Sequence, residues 1–317
     1  MTFSEIQKDL YRRLGYDATP ATAVTTRLNA FINESHHDLM SMPGMERMRD
    51  DTISVASVAS REYIALPQAV DRIIAVTDRT NSLSLRSISK RRVREINPNQ
   101  LTGTPYAFAV LGTRGVAVQP SDASDIFVDS TSASDTNTAY LEGVRTGGYR
   151  DTTSVTMTGV TAIGFDTPDH TDWTQIDKFY VDTAAVGTVT LHEDASGGTE
   201  LARIPIGATY ARYLHMLLEP VPSAVVTYHI DYVRQIEEMS IANDEPLLPR
   251  DFHRMLVTGA RMKEYERRED MNRYKLAQIE FLEGVRKLKY WLASSGVQEL
   301  VNRRAEHSNL EPGFPAS

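Results

Sequence analysis

The stretch from Asp244 to Leu292, DEPLLPRDFHRMLVTGARMKEYERREDMNRYKLAQIEFLEGVRKLKYWL, constrains the chain most. Two prolines, Pro246 and Pro249, hold Glu245 and Leu248 before them in extended backbone, so no helix can run in from the N-terminal side. Asp251 is then placed to cap a helix whose apolar positions are Phe252, Met255, Leu256, Gly259, Met262 and Tyr265. After the polar Arg267–Asn272 segment a second stripe follows, through Tyr274, Ala277, Phe281, Val285, Leu288 and Leu292. Spacings of three and four place each set on one helical face. Glu264, Arg268, Lys275, Glu280 and Lys287 fall off that face and are expected to be wet. A one-sided helix must bury its stripe against another part of the chain or against a neighbour.

The N-terminal segment is expected to be helical as well. Ser4 and Gln7 have the spacing of a capping box ahead of Ile6, Leu10 and Leu14, and Gly15 ends that face. Thr19-Pro20 restarts a helix, with Val24, Leu28, Phe31, Ile32, Ser35 and Leu39 as its stripe. The period then changes to two. Segments 52–58, 61–66 and 71–77 read as strands, and Ser87–Ile96 as a short basic helix. Thr102–Pro120 reads as two strands around a turn at Gly112–Gly115.

Between Ser121 and Tyr213 the composition turns to Thr, Ser, Gly, Asp and Val. Strands are predicted at 126–129, 138–144, 154–158, 178–182, 188–192 and 201–204. Short strands with turns such as Ser196-Gly197-Gly198 between them suggest an immunoglobulin-like β-sandwich. Val225–Val233 then alternates, with Val226, Tyr228, Ile230 and Tyr232 inward. From Ser294 the period is lost, and Pro312, Gly313 and Pro315 suggest a flexible tail.

Composition excludes several classes. The 317 residues are 41% hydrophobic and 24% charged, as in an ordinary soluble protein. Without cysteine there is neither a disulfide framework nor a thiolate metal site. No apolar run approaches the roughly 20 residues of a membrane span. The amphipathic first residues do not resemble a signal peptide, so synthesis and initial retention in the cytosol are expected. A net charge of −8 leaves any contact with DNA to a local patch.

Few motifs point to chemistry. Glu34 with His37 makes a Glu-x-x-His step, but the second step and extra glutamates of a di-iron helix bundle are absent. Ser87-Ile88-Ser89-Lys90 matches a Ser-x-x-Lys motif whose partner motifs are absent. Asp166, Asp169, Asp172 and Asp177 crowd one loop without the spacing of a calcium loop. No paired carboxylates suggest a hydrolase. No catalytic residue, cofactor or metal is therefore expected. The basic run Arg86, Lys90, Arg91, Arg92 and Arg94 can either contact DNA phosphates or an acidic partner, or be a solvated helix face. Trp173, in a polar loop, reads as a locally packed side chain or as a sugar platform.

Taken in order, RLNAFINESHHDLM, TGTPYAFAVLGTRGVAVQP, LLEPVPSAVVTYHIDYVR and DEPLLPRDFHRMLVTGARMKEYERREDM resemble the segments of the head–tail connector (portal adaptor) proteins of tailed bacteriophages. The family pattern runs from its proline-ended strand to its alternating strand within a few residues; here about a hundred intervene. The resemblance implies an α+β fold: a helical bundle with long C-terminal helices and a small antiparallel sheet, interrupted by the immunoglobulin-like domain. The corresponding divisions are a connector core at 1–120 and 215–293, an insert at 121–214 and a tail at 294–317.

It also implies a structural virion protein of the neck, at the portal vertex and made in the host cytoplasm, not an enzyme. Such a protein joins a ring of about twelve copies on the portal protein, extends the DNA channel without reading sequence, and docks a tail or nozzle protein or tail fibres. Arg303, Arg304, Leu310 and Phe314 become candidate portal anchors, and the basic run a DNA-channel or portal contact. The alternative is a carbohydrate-binding or adhesion protein acting through its β region.

Overall fold

The computed structural model describes residues 1–16, 19–121, 125–165, 173–193 and 198–308, with side chains of the last helix described as far as Ser294. Helices α1 (Phe3–Arg13) and α2 (Thr22–Met40) come first. Strands β1 (Asp50–Ala56), β2 (Tyr63–Leu66), β3 (Val70–Asp78), β4 (Leu83–Ser84) and β5 (Arg86–Ser87) lead to helix α3 (Lys90–Ile96). Next come β6 (Thr102–Gly103), β7 (Ala107–Arg114), β8 (Ile126–Ser130), β9 (Thr138–Arg145), β10 (Arg150–Thr156) and β11 (Ile163–Gly164). The strands end with β12 (Trp173–Val181), β13 (Val189–Glu193), β14 (Glu200–Ile204), β15 (Tyr213–Glu219), β16 (Val221–Pro222) and β17 (Thr227–Arg234). Helices α4 (Arg254–Arg267) and α5 (Met271–Ser308) follow.

This order overturns the expected fold class. Among the described residues seventeen strands lie in five sheets, and only 29% of the chain is helical. The protein is mostly β, not a helical bundle with a small sheet. Helical stripes are strong local signals. Short strands owe their stability to partners far away in sequence, so their weight is under-read from pattern alone.

The chain divides into two compact units, Met1–Arg49 with Ile236–Ser317, and Asp50–Gln235. In the first, α1, α2, α4 and α5 close one core around Ile6, Leu10, Leu28, Ile32, Leu256 and Leu288. The capping box at the start of α1 is Thr2 with Glu5, not Ser4 with Gln7: the Glu5 amide donates to the Thr2 hydroxyl, and the Thr2 amide to the Glu5 carboxylate. Asn33 joins the two chain segments, its amide group donating to Met239 O and accepting from Met239 N, each at 3.1 Å. Gly259 sets the closeness of packing. A Cβ there would lie 2.8 Å from Ser35 Oγ and 3.3 Å from a Phe281 ring carbon.

In the second unit two four-stranded sheets, β1-β17-β3-β4 and β2-β15-β7-β5, share a core that includes Ile64, Val76, Phe108, Leu218, Tyr228 and Ile230. The alternation expected of Val225–Val233 holds in β17, where Tyr228, Ile230 and Tyr232 are buried and Thr227 and Asp231 exposed. Gly112 does not make the expected turn. With φ of +128° it sits inside the single strand β7, where the pairing with β15 slips by one residue, as at a bulge. Sheets β10-β9-β12 and β11-β8-β13-β14 share a separate core around Val128, Leu141, Trp173, Phe179 and Leu191. Trp173 is therefore not in a loop: it opens β12 and is fully buried, with the Arg145 guanidinium 5.3 Å from its ring centre.

Candidate functional site

The basic run is split between two elements. Arg86 lies in β5, while Lys90, Arg91, Arg92 and Arg94 lie on α3, whose N-cap is Ser89; its hydroxyl accepts the Arg92 amide at 3.2 Å. The cap is an unspecified position of the Ser-x-x-Lys match; the matching serine, Ser87, lies in β5. Val93 packs on Ala109 and Leu217, so the helix keeps its apolar side on the sheet and its cations outward. Asn97 fixes the other end, donating to Leu101 O and to the Glu219 carboxylate while accepting the Leu101 amide. Burial raises the Glu219 carboxyl above its ordinary value, against the lowering effect of the Asn97 bond.

The cations of α3 are largely balanced. Arg91 and Arg92 both bond Glu95, at 2.9 and 3.3 Å, and Arg94 lies 3.4 Å from Glu62. These exposed pairs contribute little stability, about 0–1 kcal/mol each. Arg86 and Lys90 make no ion pair among the described residues. Arg303 and Arg304 fall within α5 where side chains are not described, and Leu310 and Phe314 lie outside the described residues.

The Glu-x-x-His step on α2 is taken up by other bonds. Glu34 and Asp38 both pair with Lys263, at 3.2 and 2.8 Å. His36 points into the core, where its Nε2 has no hydrogen-bond partner among the described residues. Burial, with the charges of His37 and His253 adding to it, pushes its pKa down to about 4. Among the described residues no group of His, Asp and Glu is arranged to hold a metal, and no helix is long and apolar enough to cross a membrane. Asp166, Asp169 and Asp172 lie outside the described residues.

Two features were not expected from the pattern. Glu264, placed on the wet side by its spacing, is fully buried and takes hydrogen bonds from Arg27, Arg267 and Arg268 at 3.2, 2.8 and 2.7 Å. The second feature lies on α5. Its stripe Ala277, Phe281, Val285 and Leu288 is buried as expected, but Leu276, Ile279, Leu282 and Tyr290 stand in solvent, Ile279 at 57% and Tyr290 at 77% exposure. At 100° per residue Ile279 and Tyr290 project nearly opposite the buried stripe, with Leu276 and Leu282 to either side. Monomers rarely leave such an array of large apolar groups uncovered. The signal was present in the sequence, as four large apolar residues lying off the stripe. No protein-family model matches the chain, and no curated protein matches it in sequence.

Proposed function

We propose that this chain is a structural virion protein: a head-to-tail adaptor that assembles as a ring on the portal, extends the DNA channel and offers the tail a docking platform. The observation that carries the reading is the outward apolar set on α5, Leu276, Ile279, Leu282 and Tyr290. A ring of copies gives every such face a neighbour, whereas an isolated monomer leaves it wet. The order of the four family-like segments supports the same reading. The exposed Arg86 and Lys90, with the partly balanced Arg91, Arg92 and Arg94, are the cations available to limit repulsion from DNA in the channel or to meet an acidic portal surface.

The test is the native mass of the protein alone and mixed with purified portal from the same virus. The expected outcome is a monomer alone and a ring on the portal, with as many copies as the portal has subunits. A protein that stays monomeric in the mixture overturns the connector reading. The Trp173 route to the adhesion alternative is closed by that residue's burial in the core.

A further inference from the structure

A groove of about 710 Å³ opens within the Asp50–Gln235 unit, between the end of β7, strand β12 and residues 209–212. Its floor is held by backbone bonds. Gly115 N donates to Asp177 O at 2.8 Å, Val181 N to Thr209 O at 2.7 Å, and Ala211 N to Phe179 O at 3.0 Å. Gly115 is required there, since a Cβ would fall 2.5 Å from Phe179 N.

Four cations line the groove, and they are not equivalent. Arg150 lies 3.1 Å from Asp177, and Lys178 lies 2.6 Å from Glu142. Arg114 and Arg212 are half-buried and make no ion pair or side-chain hydrogen bond among the described residues. A half-buried guanidinium without a partner has lost water without gaining an anion, and a ligand carboxylate restores that loss through a two-pronged bond. Beside these cations stands Tyr180, held by two contacts. Its ring stacks on Tyr140 at 5.0 Å and 6°, and its hydroxyl donates to Glu142 at 3.1 Å. Tyr210 forms a second, exposed ring on the same wall.

We propose that this groove binds a short acidic oligosaccharide carrying one or two carboxylates. Two guanidinium groups unpaired among the described residues match that charge. A polynucleotide, with a phosphate at every residue, would need a longer basic track than these four side chains supply. An extended peptide would need a free strand edge, but the backbone of β12 is already bonded to residues 209–211. A tyrosine ring already held in place, as Tyr180 is, suits the C–H face of a sugar and costs little ordering on binding. The inference is independent of the connector reading, because ring assembly and sugar binding are measured separately.

The experiment uses the full chain on an array of uronate- and sialate-bearing oligosaccharides beside their neutral counterparts. An eight-residue oligothymidylate and a Glu-rich peptide serve as competing probes, and hits are measured by titration calorimetry. At least one acidic oligosaccharide is expected to bind and its neutral counterpart not to. Arg114→Gln and Arg212→Gln are each expected to weaken binding at least tenfold, and Tyr210→Ala several-fold, with melting temperatures unchanged. Arg91→Gln on α3 is expected to leave binding as it was. The proposal is overturned if no acidic oligosaccharide binds, if binding survives both arginine substitutions, or if the oligothymidylate or the peptide binds more tightly.

Discussion

Glu264 and His36 are buried ionisable groups that sit in one core and respond to acid in different pH ranges. Burial alone would raise the Glu264 carboxyl, but hydrogen bonds from Arg267 and Arg268 and the charge of Arg27 outweigh it and hold the pKa at about 2. A carboxyl depressed by folding contributes its full stability above its unfolded value near 4.5 and loses it as pH falls through about 2. The depression corresponds to about 3 kcal/mol. Glu264→Gln is therefore expected to lower unfolding stability by about 2–3 kcal/mol at pH 7, with the deficit shrinking by pH 2.5, as read from urea titrations. His36 has the opposite linkage. Its folded pKa lies below the unfolded value, so the unfolded chain takes up a proton first and stability falls as pH drops from about 6.5 to about 4. His36→Leu is expected to remove this loss. Its stability relative to the native chain should grow by about 1.4 kcal/mol per pH unit across that range; a flat difference would mean that His36 titrates normally.

At the scale of elements, local chemistry was the most legible part of the chain. The alternation of β17 and the strands near Ile126, Thr138, Val189 and Leu201 follow from side-chain period, which needs no knowledge of partners. Glu264 and Trp173 were misplaced because their burial depends on partners remote in sequence: Arg27 lies on α2, and Trp173 packs in a core shared by two sheets. Of the candidate contacts, the basic helix was visible as a run of charges, but its pairing with Glu95 and Glu62 was only partly so, because Glu62 is some thirty residues away. The outer side of α5 follows a period that the inner stripe masked. If that side joins copies, Leu276→Glu with Ile279→Glu is expected to abolish ring formation on the portal while leaving the circular dichroism and melting temperature of the monomer unchanged, since both side chains are already in water. Rings that persist in this double variant would remove α5 from the contact between copies.

At the scale of the whole molecule, pairing across long separations decides the architecture. Strand β17 lies between β1 and β3, and β15 between β2 and β7, so the sheets hold neighbours that no local pattern links. That is why the mostly β character was missed while many of its strands were found. The first unit is built from both ends of the described chain, with α1 and α2 completed by residues from Ile236 onward. This has a consequence for synthesis. At about 5–20 residues per second, α1 and α2 leave the ribosome roughly 10–40 seconds before α4 and α5 can cover them. At 11 residues α1 is marginal alone in water, and α2 keeps an apolar stripe uncovered until then. The strand-rich unit, continuous from Asp50 to Gln235, can fold during that interval, while α1 and α2, made before it, must wait for partners made after it.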